Sequence, residues 1–440
     1  MVGDVAWIFV ALFGVSAVLA GPVEPPVNFT GYRLIQARFG SAQALELAHQ
    51  LERSGRLQLW SDHPSEDGDA LLLFSVAPEF AGEVASTLAD DSHVTAVKVL
   101  EDDLQTLIDE ERPDAAYYYS VNSAAPVSRR ANLREFESYD QIVASIDHYA
   151  SRPGVAGLVT RFVIGKSFEG RDIVGIRISS TAAGKTKPVV FVECGIHPRE
   201  WASISTCLYM IDRLAMHQHD HKDLLDRFEF HFVPALNPDG YEYTRNVNRL
   251  WRKNRRPAQN AGLAKRCVGV DLNRHFDAGT HCGVGTSRDP CSDIFCGVER
   301  FSEPETKALR DYLTSIKDDV EYYVSLHSFG QLWMFPYSYT SANARHHDDL
   351  RARAKIGVDA IRAYNGAKYT YGPTSRVIYK VTGSSIDWAY DHLGINKSFV
   401  LELPPNFASE HTNRGFLLSP LQIIPVGIET LTGLEAMWLS

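Results

Sequence analysis

After residue 131 the chain alternates between stretches of helical periodicity and short apolar runs, and this alternation restricts the possible folds more than any other sequence feature. The predicted helices are 138–151, 202–216, 304–316 and 347–364, and the predicted strands are 171–179, 188–194, 228–235, 321–327 and 398–403. Such alternation predicts an α/β domain with a mixed, mostly parallel β-sheet covered by helices on both faces.

Residues 21–130 form a separate and acidic part of the chain. They carry 18 Asp and Glu against 8 Lys and Arg, whereas residues 131–440 carry 35 acidic and 36 basic residues. Strands at 32–37 and 70–76 and helices at 42–54 and 79–90 predict a small α+β unit of the open-sandwich type. The small, polar run that ends in Arg129 and Arg130 is typical of an exposed linker that a protease can cut. An ordinary interdomain linker is the alternative.

The N-terminus carries an apolar stretch, residues 5–19, that ends in small residues before Ala20. This pattern predicts a signal peptide at 1–20, because the stretch is short for a membrane span. Asp4 and the lack of Lys or Arg before the stretch depart from the pattern, so a short membrane anchor is the alternative. We expect a secreted, extracellular protein with domains at 21–130 and 131–440. Asn28 and Asn396 are then candidate glycosylation sites.

The six cysteines all follow residue 190, and an even number in an exported protein favours disulfide bonds. Six cysteines allow many pairings, and the sequence alone does not choose among them. The absence of a C-x-x-C pair argues against a structural zinc site made of cysteines.

His197 and Glu200 lie three residues apart, just after a predicted strand. Side chains at this spacing in a helical segment face the same side and can bind one ion. With His327 they offer two imidazoles and one carboxylate, the ligand set of a catalytic zinc ion with an open fourth position. A second H-x-x-E match, His49 to Glu52, falls within a predicted amphipathic helix, and we interpret it as a solvated helix face.

Seven short runs then follow one known pattern in the same order along the chain: Gly195–Trp201, Asn248–Lys253, Val268–Arg274, Leu326–Ser328, Ile378–Tyr379, Gly383–Trp388 and Phe399–Leu403. On these runs the sequence resembles the pancreatic-type zinc carboxypeptidases of the A and B types, which are made as zymogens with an N-terminal pro-domain. The resemblance covers essentially the whole chain. It implies the cysteine pairs Cys194 with Cys207, Cys267 with Cys291, and Cys282 with Cys296.

The resemblance implies one zinc ion per chain, bound by His197, Glu200 and His327, with Glu402 as the general base. Zinc lowers the pKa of bound water to about 7, and a base near it can pass the proton to the leaving amine. A glutamate within a buried apolar run needs a reason to be there, which favours a functional Glu402. Arg252 is assigned to stabilise the carbonyl oxygen; locally it belongs to a basic run that is usually only solvated.

The same resemblance assigns the C-terminal carboxylate of a substrate to Arg274, assisted by Asn273 and Tyr379. A guanidinium suits this task because it offers two parallel hydrogen bonds to a carboxylate. Arg199 is expected to line the next subsite outward.

The side-chain pocket has Ile386 at the position where B-type enzymes carry an acid. Burying an unpaired ammonium against Ile386 is unfavourable, so C-terminal Lys and Arg are expected to be poor substrates. Ser338 and Ser384 are also expected to line the pocket, together with Thr374, Met334, Val381 and Val400. We expect A-like specificity for aliphatic and aromatic C-terminal residues. Phe329 stands where the family commonly has Tyr.

The expected partners are peptide or protein C-termini and a trypsin-like activating protease. Cleavage is expected after Arg130, with Arg129 and Arg112 as alternatives. We expect a monomer, and no membrane partner, because no segment after the predicted signal peptide is a candidate membrane span. Nucleic-acid binding is not expected, because the part after residue 131 is nearly neutral and its basic run is short. Two rival functions remain: a catalytically silent secreted peptide-binding homologue, and a zinc amidohydrolase or deacylase. Release of only the last residue of a peptide would distinguish a carboxypeptidase from either rival.

Overall fold

The protein is described here from a computed structural model, which covers residues 24–64, 69–111, 129–153, 158–180, 187–258, 267–406 and 414–440. The predicted signal peptide, Arg112 and most of the predicted linker lie outside these ranges. Within them, no helix has the length and apolar character needed to cross a membrane.

The N-terminal region is a small α+β unit, as predicted. In chain order its elements are β1 (Arg33–Phe39), α1 (Ala42–Arg53), β2 (Gln58–Pro64), β3 (Ala70–Val76), α2 (Ala81–Asp90), β4 (Val94–Glu101) and α3 (Leu104–Glu110). The strands form an antiparallel sheet of order β2-β3-β1-β4. Because side chains alternate along a strand, Leu72 and Phe74 pack with α1 and α2, whereas Leu73 points to the opposite face and joins the core of the larger region.

The larger region contains the remaining elements. The strands are β5 (Val159–Lys166), β6 (Asp172–Ile178), β7 (Val189–Cys194), β8 (Glu229–Val233), β9 (Val320–Gly330), β10 (Leu332–Phe335), β11 (Thr370–Pro373) and β12 (Lys397–Asn406). The helices are α4 (Tyr139–Ser151), α5 (Trp201–Met216), α6 (Lys222–Arg227), α7 (Pro238–Asn246), α8 (Pro304–Ile316), α9 (His347–Asn365), α10 (Thr374–Val377), α11 (Ser385–Leu393) and α12 (Ile423–Trp438).

These strands form a mixed sheet of order β11-β10-β12-β9-β7-β8-β6-β5. The central neighbours β12, β9, β7 and β8 run parallel, while β6 pairs antiparallel with β8 and β5, and β10 with β12. The predicted fold class, a mostly parallel sheet with helices on both faces, is therefore confirmed.

Strand β7 shows how the sequence builds the two faces. All of its residues are buried, and Val190 and Val192 pack in the core that contains α5, α9 and α12. Val189 and Phe191 point the other way, into the core that contains α8 and α11. A strand buried on both faces has a continuous apolar sequence, which is why this run was recognisable.

Two of the three implied disulfides are present, Cys267–Cys291 and Cys282–Cys296. The third implied pair is wrong in this structure, because Cys194 and Cys207 are buried free thiols. The two thiols interact with each other, and burial together with the Cys207 thiol raises the pKa of Cys194. The reduced thiols fill the interior as small apolar groups.

Candidate active site

Three buried side chains meet beside the ends of the parallel strands β7 and β9. His197 Nδ1 lies 2.8 Å from Glu200 Oε1 and 3.2 Å from His327 Nδ1, and His327 Nδ1 lies 3.0 Å from Glu200 Oε2. No more than 4% of any of these residues is exposed. The structure therefore brings together the three residues that the sequence nominated as metal ligands.

The backbone between β7 and α5 explains this arrangement. Gly195 follows the strand with φ of +66°, and a Cβ atom there would lie 2.9 Å from the Ile204 side chain. Only glycine fits both the conformation and the space. The turn brings His197 and Glu200 to the start of α5, while the neighbouring strand β9 supplies His327.

Asp271 organises the site, although no sequence motif assigned it a role. It is fully buried, and its carboxylate lies 3.0 Å from His197 Nε2 and accepts hydrogen bonds from Arg252 Nε at 2.8 Å and from the Asn273 N–H at 3.0 Å. Burial alone would raise the pKa of Asp271, but Arg252 and Arg274 hold it well below its usual range. The available signal was an acid at the centre of the Val268–Arg274 run.

The contact with Asp271 also fixes the orientation of the His197 ring. Because Nε2 faces the carboxylate, Nδ1 is left to face Glu200 and His327. A carboxylate that binds the second nitrogen of a ligating histidine sets its tautomer and strengthens it as a ligand.

Glu402 lies on β12, directly opposite His327 in the pairing of β12 with β9. Its side chain lines the same cleft as the three candidate ligands, and its Oε2 atom has no hydrogen-bond partner among the described residues. Burial raises the pKa of Glu402 to about 8, against the lowering effect of His327. A carboxylate with a raised pKa that faces a cleft is suited to proton transfer.

Arg274 lies farther along the cleft and is 5% exposed. Its guanidinium donates to the carbonyl oxygens of Gly285 (3.1 Å) and Asn273 (2.9 Å), and its Nη2 lies 3.5 Å from the Tyr379 hydroxyl. Gly383 allows this packing: its φ is +79°, and a Cβ atom there would lie 2.1 Å from the Arg274 carbonyl oxygen. The predicted carboxylate-binding residues Asn273, Arg274 and Tyr379 all line the cleft.

Ile386, Ser338 and Ser384 line the cleft, as the resemblance implied. The two serine hydroxyls lie 3.2 Å apart, and Ile386 is 2% exposed. Asp387, the residue after Ile386, accepts hydrogen bonds from the backbone N–H groups of Ser338 and Tyr339 and is not among the lining residues. The remaining wall is made by Met334, Thr374, Ile378, Val381 and Val400.

Arg199 lies behind the wall of the cleft. It is 2% exposed, and its guanidinium stacks on the Phe416 ring at 4.3 Å from the centroid. Phe416 lines the cleft, as do Trp60 and Ser61 of the N-terminal region. Trp60 packs against Phe416, with ring centroids 5.3 Å apart. In this structure Phe416 therefore separates Arg199 from the cleft, and strand β2 contributes to its mouth, a contact that the sequence did not reveal.

The donor set fits a zinc ion. One ligand atom from each of His197, Glu200 and His327 lies within 4.8 Å of the others, and two imidazole nitrogens that face each other at 3.2 Å are best satisfied by a cation between them. A second cluster of potential metal ligands in the described ranges, His281 with Cys282 and Cys296, contains a disulfide and so lacks free thiolates.

Comparison with known proteins identifies the family of this chain. Residues 142–433 match the zinc carboxypeptidase family. The chain is 33% identical to rat carboxypeptidase A2 over 92% of its length and 95% of that protein. It is 40% identical to human carboxypeptidase B over 63% of its length and 64% of that protein.

Solved structures agree with these sequence matches. Thrombin-activatable fibrinolysis inhibitor superposes with a TM-score of 0.81 and 29% identity, covering 93% of this chain and 98% of that one. Carboxypeptidase A from Helicoverpa armigera superposes with a TM-score of 0.80 and 28% identity, covering 93% of this chain and 97% of that one. With the site geometry, these matches establish that the chain belongs to the zinc carboxypeptidase family, whose members are peptidases that use one zinc ion per chain.

Proposed function

We propose that this chain is the precursor of a secreted zinc carboxypeptidase that releases one C-terminal residue at a time and prefers aliphatic and aromatic residues. The observation that carries the proposal is the presence, in one cleft, of the three ligand candidates and of a buried arginine suited to a carboxylate. Arg274 provides the specificity for chain ends, since a guanidinium binds a free carboxylate but has no such partner within a continuing peptide.

The residues of the cleft divide the chemistry between them. Zinc, when bound by His197, Glu200 and His327, supplies Lewis acidity that polarises the carbonyl group and makes water more acidic. Glu402 takes a proton from the attacking water and gives it to the leaving amine. Arg252 donates to the carbonyl oxygen as that atom gains negative charge, and loss of such a donor costs about 3–4 kcal/mol.

The proposed preference for uncharged C-terminal side chains rests on Ile386. A lysine side chain in this pocket would lose its hydration without gaining a carboxylate partner, because Asp387 is already engaged by backbone N–H groups. The hydroxyls of Ser338 and Ser384 make one wall polar, which suits tyrosine as well as phenylalanine and leucine.

The N-terminal region is proposed to keep the precursor latent. Trp60 and Ser61 narrow the cleft. A buried ion pair fixes the region in place, since Arg249 donates to both carboxylate oxygens of Glu111 at 2.6 and 2.7 Å. Gln58 adds a hydrogen bond to Asp293 at 3.1 Å. Removing the region by a trypsin-like cut after Arg130 would open the cleft to a peptide.

The test is to treat the purified precursor with trypsin and to measure kcat/KM for matched peptides ending in Phe, Leu or Lys. We expect Phe and Leu release that appears only after cleavage and disappears with a zinc chelator. A Glu402→Gln variant, nearly isosteric with the original, is the control for residual trypsin activity. Strong Lys release would contradict the specificity proposal alone. No release by folded, zinc-loaded protein would contradict the enzymatic proposal and favour a silent peptide-binding protein.

A further inference from the structure

A buried carboxylate on α5 lies outside the cleft and takes no part in the proposed chemistry. Asp212 has no exposed surface, and its Oδ2 atom accepts a hydrogen bond from Arg130 Nη2 at 2.5 Å. Arg130 Nε donates to Oδ1, so the guanidinium binds both oxygens. The Tyr149 hydroxyl adds a hydrogen bond of 2.9 Å to Oδ1. In the described ranges, Arg130 is the cation that pairs with Asp212.

A single hydroxyl group, that of Tyr149, links the backbone nitrogen of Ala131 to the Asp212 carboxylate. The Ala131 N–H donates to the Tyr149 hydroxyl at 3.0 Å, and that hydroxyl in turn contacts Asp212. Ala131 is only 8% exposed. The atom that a cut after Arg130 would convert into a chain terminus therefore already contacts the hydroxyl group that binds the buried carboxylate.

Contacts made by the chain after residue 131 hold this nitrogen in place. Glu137, 2% exposed, accepts hydrogen bonds from the Asn132 N–H at 2.8 Å and from the Ser145 hydroxyl at 3.2 Å. Arg129 also pairs with Glu137, at 3.0 Å. When Arg129 leaves, Glu137 keeps these two hydrogen bonds and the nearby positive charge of Arg245. When Arg130 leaves, Asp212 keeps the Tyr149 hydrogen bond but loses its ion-pair partner.

On the basis of the activation cut proposed above, we propose that Asp212 and Tyr149 form a binding site for the α-ammonium group of Ala131, which Arg130 occupies in the precursor. Hydrolysis of the Arg130–Ala131 bond adds one water and yields the Arg130 carboxylate and the Ala131 ammonium. The ammonium brings a positive charge and three N–H donors to a site from which a cation has departed. A buried carboxylate without a cation is strongly unfavourable, so the exchange stabilises the cleaved enzyme.

The exchange gives the cleaved form a pH dependence that the precursor lacks. The titratable and charged groups that contact residues 130–132 or their Tyr149 partner are Tyr149 of α4, Asp212 of α5, His217 after α5, and Glu137 before α4. Asp212 favours the charged form and so raises the pKa of the new α-amino group above its ordinary value of about 7.7–8.0. The added stability is fully present below that ordinary value and is lost as the pH rises through the raised one.

The test uses full-length precursor cleaved by trypsin, with the new N-terminus identified by sequencing. The α-amino group is then labelled by reductive ¹³C-methylation, which keeps its charge, and its pKa is measured by NMR. We expect a pKa at least about one unit above the ordinary range in the wild-type protein, and an ordinary value in Asp212→Asn. Tyr149→Phe, which keeps the carboxylate, is the second variant should Asp212→Asn not fold. Asp226→Asn, at an exposed acid paired with Lys222, is the control and should leave the pKa raised.

The outcomes separate this inference from the proposed function. An N-terminus other than Ala131 overturns both the proposed cut and the binding site. Ala131 at the N-terminus with an ordinary pKa, or with a raised pKa that neither variant lowers, overturns the binding site alone. Peptide release by the same sample tests the proposed activity independently.

Discussion

Asp271→Asn is the substitution whose effect the structure predicts in most detail. The native carboxylate contacts His197 Nε2 and Arg252 Nε, at 3.0 and 2.8 Å. Asparagine keeps one oxygen and puts an NH₂ group in the place of the other, so one of these two contacts is lost. A hydrogen bond to a charged group contributes about 1.5–3 kcal/mol, which corresponds to a loss of about 10- to 150-fold in kcat/KM. Misorientation of His197 should also weaken zinc binding by about 10- to 100-fold.

Two measurements on the trypsin-cleaved protein test this prediction. Zinc affinity is obtained by competition with a chelator, and kcat/KM is obtained at saturating zinc with a peptide ending in Phe. Asp239→Asn is a matched control, because Asp239 is equally buried and pairs with Arg171 outside the cleft. The control should lose stability but keep zinc affinity. Wild-type zinc affinity and wild-type kcat/KM in Asp271→Asn would refute the organising role of this carboxylate.

Three further predictions concern specificity, pH dependence and the stability of the precursor. Ile386→Asp should raise kcat/KM for peptides ending in Lys at least about 100-fold relative to those ending in Phe, because the buried ammonium gains a partner; an unchanged ratio would exclude Ile386 as the selector. The acid limb of kcat/KM against pH should reflect Glu402, which acts only when deprotonated, so activity falls as the pH falls through its pKa. Burial raises the pKa of Glu402 to about 8, and bound zinc lowers it, so the midpoint of the acid limb should lie between pH 4.5 and pH 8. An acid limb that persists in Glu402→Gln would argue against the assignment. Glu111→Ala leaves Arg249 buried without its carboxylate and should destabilise the precursor by about 3–5 kcal/mol in denaturant unfolding, while the cleaved enzyme, purified from its pro-domain, keeps the wild-type value.

The sequence predicted the elements whose apolar residues follow a simple pattern, either a continuous run or a helical repeat. Strands such as β7 are buried on both faces and so carry a continuous apolar run, and helices such as α9 show clear periodicity. The edge strand β5 and the outer strand β4 were missed, because residues such as Val163 (40% exposed) and Val97 (49% exposed) break the buried pattern. Helix α12 was also missed, since ten of its residues are buried and its apolar side chains mark no single face.

The site was predictable residue by residue but not as a set of interactions. His197 and Glu200 could be nominated from their spacing just after a predicted strand, and Glu402 because a charged group in an apolar run needs a reason to be buried. The double role of Asp271 could not be predicted, because its partners Arg252 and His197 are 19 and 74 positions away along the chain. The same limit applies to Trp60, whose contact with Phe416 joins two parts of the chain that the sequence separates by charge.

The sequence by itself determined the α/β fold class, the identity of the candidate ligands and base, and the uncharged residue of the pocket. The fold class and the ligand candidates follow from local periodicity and residue chemistry, whereas the base and the pocket residue were implied by the resemblance of short runs to a known family. The tertiary structure alone decided that Asp271 orients His197 and Arg252, that Phe416 separates Arg199 from the cleft, and that Cys194 and Cys207 remain free thiols. These outcomes depend on distances of a few ångströms between distant segments, which only packing of the whole chain can set.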